Sequence, residues 1–205
     1  MNFRHVLAGI FAVGILAVGM VAVGILADPA LLRASAPQAA PGTPDEVFAV
    51  KQFDQAVVEY MALRQRLRGE VSGPVKDSTS TQLTDASDAL AAAIQRARPK
   101  ARVGGFFTAP VAAVFKRRVA DTVRTEKLTT VLTKIDDDDE AVSAPPKIYV
   151  RMPVSEQMAT MPPALLAILP PLPKELEYRI LGGYLLLRDV DASLVLDYIP
   201  AAVPR

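Results

Sequence analysis

The chain has 205 residues, 51% of them apolar and 22% charged, with a formal net charge of +1. That is enough for one domain with a substantial core and too little for two large ones. Cysteine and tryptophan are absent and the one histidine is His5, so beyond residue 27 no Cys/His zinc site, thiol nucleophile, Ser-His-Asp triad or disulfide framework can be built.

Val6 to Ala27 is an unbroken run of 22 residues without a charge or a hydrogen-bonding side chain. As a helix it measures roughly 33 Å, matching a hydrocarbon core of about 30 Å. It is too long for an ordinary signal-peptide core, which favours an uncleaved anchor over a cleaved signal; Ala34-Ser35-Ala36 keeps the second reading open. Arg4 precedes the run and Asp28 follows it, so the body is expected outside the cytoplasm, as a single-pass protein of the inner membrane or, if cleaved, a periplasmic or secreted one. Residues 28–44 carry four prolines among alanines and read as a semi-stiff tether.

The helical region is expected over 45–134. Thr43, Pro44 and Glu46 form a helix-start signal, and Val50, Phe53, Val57, Tyr60 and Leu67 recur as an apolar stripe to about 68, where Gly69 is expected to end the helix. A second helix is predicted from about 82 to 102 on Leu83, Leu90, Ile94, Ala97 and Ala101, disturbed by Pro99. Thr108 and Pro110 open a third, with Val111, Val114, Phe115, Val119 or Ala120 and Val123 on one face. A short fourth piece is expected around Leu128 to Lys134.

Residues 135–174 form an acidic and proline-rich connector. A short strand is expected at Ile148 to Met152 and a helical turn at Ala164 to Leu169. From 175 onward, LEYRIL, Gly182-Gly183, YLLLRDV and LVLDYI read as a β-meander. A two-residue Gly-Gly turn pairs Leu181 with Tyr184, Arg179 with Leu186 and Glu177 with Arg188. The face with Tyr178, Ile180, Leu185 and Leu187 is then the buried one, Asp189 shares its parity, and Glu177 with Arg188 is a surface ion pair. The fold class that follows is α+β: an N-terminal transmembrane helix, then a cluster of three to four helices covered by a small C-terminal antiparallel meander, with 45–205 as one domain.

The segment Met161 to Pro200, with its Leu-Pro-Pro-Leu-Pro lead-in and its Glu-Tyr-Arg, Leu-Arg-Asp and Leu-Asp-Tyr-Ile strands, resembles the C-terminal signature of a family of uncharacterised exported bacterial proteins. GGFFTAPVAAVFKR, Gly104 to Arg117, resembles the same family's central Phe-Thr-Pro helix start, with Ala109 inserted before Pro110. The resemblance spans roughly 50–200 and implies the architecture and an exported location, but no activity. The final 35 residues are faintly similar to the tail of periplasmic nickel/cobalt-homeostasis proteins.

Candidate chemistry is sparse. Asp136 to Glu140 lacks the glycine and distal glutamate of an EF-hand loop and reads as a solvated acidic run. Glu175, Glu177, Asp189, Asp191 and Asp197 could include an acid/base pair; Asp189 in a cleft beside a second acid would favour an envelope hydrolase, and an arginine-paired Asp189 would remove that reading. Residues 45–134 hold 15 Lys/Arg against 10 Asp/Glu, and 135–205 hold 6 against 11. The opposite charges are expected to meet where meander packs on helices. Arg64, Arg66, Arg68, Lys116, Arg117 and Arg118 are the candidate interaction residues, for an envelope protein, anionic lipid or wall polymer. They form no single face for nucleic acid. No catalytic residue, metal ligand or cofactor is expected, and the body reads as a non-enzymatic interaction or scaffold module, with a carboxylate hydrolase and a metal-homeostasis protein as the alternatives.

Overall fold

The computed structural model describes residues 43–71, 79–129, 132, 145–152 and 159–203. The expected membrane segment at 6–27, most of the tether and the acidic run at 136–140 lie outside them. Among the described residues no helix is long and apolar enough to cross a membrane.

Helix α1, Pro44–Glu70, starts on the expected signal: Thr43 and Glu46 form a reciprocal capping box, with Pro44 at the first position. Its inward side carries Ala49, Phe53, Val57, Tyr60, Arg64 and Leu67, so the stripe predicted from apolar residues includes an arginine. Gly69 does not end the helix, which closes one residue later with the Val71 amide on the Leu67 carbonyl. Helix α2, Ser80–Ala97, has a second capping box, Thr79 with Gln82, and stops well short of 102. Pro99 disfavours the helical conformation at Arg98, and Leu83, expected in the core, is exposed. Helix α3, Ala109–Thr125, buries the expected face: Val111, Val114, Phe115, Val119 and Val123. At the expected fourth piece, one helical bond joins the Leu132 amide to the Leu128 carbonyl at 3.0 Å.

The sheet is antiparallel in the order β1-β2-β3-β4: β1 is Ala159–Thr160, β2 Leu176–Leu181, β3 Tyr184–Asp189 and β4 Leu194–Ile199. A short helix α4, Pro163–Leu166, lies between β1 and β2. The protein is therefore α+β. The β2/β3 register is the one the Gly-Gly turn predicts, Leu181 opposite Tyr184 through Glu177 opposite Arg188. Gly182 (φ 52°) and Gly183 (φ 80°) are both left-handed, as a type I′ turn requires. Strand β1, within the expected connector, pairs Ala159 with Ile180 and Thr160 with Arg179. The expected strand at 148–152 is reduced to one bridge, Arg151 to Leu194.

The inner face of the sheet meets the helices in one core. Its centre is aromatic: Phe53 of α1 lies between Phe107, Phe115 and Tyr178, with ring centroids 5.6, 5.2 and 6.2 Å away. The Tyr178 hydroxyl donates to the Pro170 carbonyl at 3.1 Å, satisfying the one polar group the ring carries inward. The outer face is covered too, with Leu181, Leu186 and Val195 packed beneath Ile148, Met152, Tyr184 and Tyr198.

Because the two turn glycines sit at left-handed φ, Gly183→Val should cost about 1–2 kcal/mol in urea unfolding. Gly182→Asn, which suits a type I′ turn, should change stability by less than about 0.5 kcal/mol.

Candidate functional site

The residues that could carry chemistry converge where the second half of α1 meets the β3–β4 end of the sheet. Asp189 ends β3 on the inner face and is 0% exposed. One oxygen, Oδ2, accepts from the Tyr60 hydroxyl and from Arg64 Nε, both at 2.7 Å. The other, Oδ1, accepts from the Ala192 amide at 2.9 Å, which closes the β3–β4 turn. Arg64 is 6% exposed, and its Nη2 reaches the half-exposed Asp191 at 2.6 Å. One guanidinium thus ties two carboxylates of the meander to α1. Burial pulls the Arg64 pKa down, but its hydrogen bonds to Asp189 and Asp191 outweigh that, and the net shift is upward. Burial, with the Asp189 charge beside it, pushes the Tyr60 phenol well above its ordinary value.

A second carboxylate of the inner face, Asp197 of β4, is also fully buried. Strand β4 carries a bulge where its pairing with β3 shifts between Leu187 and Arg188, so that Leu196 is the extra residue and Asp197 faces Leu187. Among the described residues its oxygens accept backbone amides: Gly104 at 2.9 Å and Tyr198 at 2.9 Å on Oδ1, Phe106 and Phe107 at 2.8 Å each on Oδ2. Gly104 sits at φ +85°, a conformation that suits glycine and turns these amides toward the carboxylate. Asp197 thereby holds the loop that delivers Phe106 and Phe107 to the core and starts α3.

Arg98, at the C-cap of α2, reaches aromatic rings that belong to both arrangements. Its guanidinium carbon lies 5.2 Å from the Phe106 ring centroid, 5.5 Å from Tyr149 and 5.8 Å from Tyr60, within cation–π range of all three. Burial pushes the Tyr149 phenol up to about 12, against the pull of the Arg98 charge.

Several expectations are corrected by this arrangement. Arg64 is a buried structural cation and is unavailable on an outward basic face. Arg66 is exposed and Arg68 half-buried near the C-terminal end of α1, whereas Arg117 pairs with Glu46 at 2.6 Å at its N-terminal end. Twenty residues of helix, about 30 Å, separate the two groups. Arg118 donates to the Ile168 carbonyl at 3.1 Å and Lys116 is half-buried. The expected surface pair is not a surface pair: Arg188 is 2% exposed, bonded to Glu177 at 2.6 Å and to the Met152 carbonyl at 3.2 Å. Glu177 also accepts from Arg179 at 2.7 Å. Burial raises the Glu177 pKa, and the two arginines more than reverse it, leaving it below its ordinary value.

Asp189 is therefore arginine-paired rather than set in a cleft beside a free acid. Surface clefts of 340, 410 and 440 Å³ occur elsewhere, and none of the three is lined by Arg64, Asp189 or Asp197. Among the described residues, no three His, Cys, Asp or Glu side chains stand close enough to hold a metal ion. No family model, curated protein or solved structure matches the chain.

Removing one partner of a buried pair strands the other charge, so Arg64→Met should cost about 3–5 kcal/mol in urea unfolding. Tyr60→Phe, which removes one hydrogen bond to the buried carboxylate, should cost about 1–3 kcal/mol, and Arg66→Met less than about 0.5 kcal/mol. Glu177 supplies a pH dependence with a definite sign. Its folded pKa is depressed, so its contribution is full above the unfolded value near 4.5 and is lost as pH falls through the lower folded one. Unfolding curves between pH 7 and 3 should show a shallower acid loss for Glu177→Gln than for the parent chain.

Proposed function

We propose that this chain is a membrane-tethered protein of the cell envelope whose folded body works by contact and not by turnover. The observation that carries the reading is the state of Asp189. The carboxylate best placed to act as an acid or base is fully buried and spent on Tyr60, Arg64 and the Ala192 amide. Asp197 is likewise spent on backbone amides. A general acid or base must reach the substrate proton, and neither group can do so without unfolding the junction it holds.

The tethered part of the reading rests on the sequence: 22 apolar residues, a flanking charge pattern that retains the N-terminus inside, and a proline-rich spacer ahead of α1. In this reading 6–27 is a transmembrane helix, and the body stands outside the cytoplasm within reach of envelope proteins, anionic headgroups or wall polymer. The resemblance to exported bacterial proteins agrees with that location. A carboxylate hydrolase would need Asp189 released from Arg64. A transition-metal protein would need the imidazole and thiolate ligands that the body lacks.

At full length the protein should sediment with membranes and resist an alkaline wash, while a variant lacking residues 2–27 should be recovered in the soluble fraction. Mass determination of the mature N-terminus distinguishes an anchor from a cleaved signal. Full-length chain free in the cytosol would overturn the tethered reading.

A further inference from the structure

One exposed flank of α1, where Val47, Lys51 and Asp54 line the 440 Å³ cleft with Arg118, Ile168 and Pro170, is not simply polar. Val47 and Val58 are 47% and 62% exposed, and Phe48 beside Val47 is 60% exposed. Between the valines lie Lys51 and Asp54, both exposed, and neither enters an ion pair among the described residues. At 100° per residue, positions 47, 51, 54 and 58 fall within an arc of about 60°. They form one narrow stripe of apolar, basic, acidic, apolar residues with spacings of four, three and four.

That stripe is its own complement when reversed. If a second α1 runs antiparallel with the two-fold centred between residues 52 and 53, Val47 meets Val58, Lys51 meets Asp54, Asp54 meets Lys51 and Val58 meets Val47. Every position meets a partner it favours, and the two ion pairs are symmetric copies of each other. In a parallel arrangement the same stripe sets Lys51 against Lys51 and Asp54 against Asp54, so the charges select the antiparallel one. Spacings of three and four are those that let two helices interlock along a seam. A two-fold contact of this kind is isologous, the commonest form of self-association.

We infer that this face of α1 is a docking surface for a second copy of the same chain, packed antiparallel through Val47, Lys51, Asp54 and Val58. The inference rests on the reading of the body as an interaction module and names one partner for it. Residues 28–43, at full extension, reach about 50 Å, enough for two chains anchored in one membrane to bring their α1 helices side by side in opposite directions.

The absence of cysteine from the chain makes the test direct. Two differently tagged full-length chains, Val47→Cys and Val58→Cys, are co-expressed and their membranes oxidised. Cross-links should form between the two tags, with several-fold less product from either variant alone, because like positions lie about 16 Å apart along the antiparallel axis. Lys51→Asp, placed in both chains, should abolish most of the hetero-cross-link, and Lys51→Asp with Asp54→Lys together should restore it. Self-cross-linking of Val47→Cys in excess of the hetero-product, or no product from any pair, overturns the proposal. So does a cross-link that Lys51→Asp leaves unchanged. A membrane-bound chain that gives no cross-link defeats the antiparallel pair while leaving the tethered module standing. A cross-linked chain recovered free of membranes does the reverse.

Discussion

A carboxylate with no solvent contact is tolerated only when its charge and lone pairs are met from within, and Asp189 makes that demand of three separate parts of the chain. Arg64 and Tyr60 must lie one turn apart on α1, which sets the rotation of that helix about its axis. The Ala192 amide must fold back beneath the carboxylate, which fixes the β3–β4 turn. Asp189 itself must point inward, and that depends on the register of β2 against β3. A slip of one residue would send Asp189 to the outer face and bring Arg188 in, so the Gly-Gly turn and the buried ion pair enforce the same alignment from opposite ends of the hairpin.

Asp197 extends the same logic to the loop ahead of α3. Gly104, Phe106 and Phe107 offer amides that no helix or strand satisfies, and a buried loop without partners for such groups is costly. A single carboxylate meets three of them. The benefit appears in the packing: once the loop is held, Phe107 stacks on Phe53 with the rings 7° from parallel, and Phe106 closes on Tyr60 edge to face. The helices and the sheet are joined by two buried acids and an aromatic cluster, not by apolar area alone.

These relations were unevenly legible in the sequence. The hairpin register could be read because a two-residue glycine turn admits only one pairing, and the α3 face could be read because its apolar residues recur without interruption. Arg64 was half visible: 57, 60 and 67 leave the place at 64 vacant in a series of threes and fours, and an arginine standing there, with an inward-facing Asp189 elsewhere, is the signature of a buried pair. Beside Arg66 and Arg68 it reads as one more surface cation. Asp197 was hidden by the bulge, since strict alternation from Leu194 puts 197 on the outer face. Arg188 was misplaced because the cover over the outer sheet face comes from Ile148 and Met152, residues of a proline-rich connector whose course no local pattern fixes.

The division of labour on α1 follows from these constraints. Its inward side is fully committed, to Phe53 in the aromatic centre and to Arg64 and Tyr60 in the ionic one, so little on that side can vary without loss of the fold. The other flank is less committed: Val47, Lys51 and Asp54 border the cleft beside Ile168 and Pro170, and Val58 stands exposed. Exposed valines at both ends of a stripe, with opposite charges between them, make that flank self-complementary. One helix face buries far less than the roughly 1,600 Å² of a standard stable interface and would be a weak contact between freely diffusing bodies. Under the proposed anchoring, two bodies on short tethers in one membrane would meet at a much higher effective concentration. A contact too small to persist in bulk solution can then be populated, which is the condition under which a small self-complementary stripe can act.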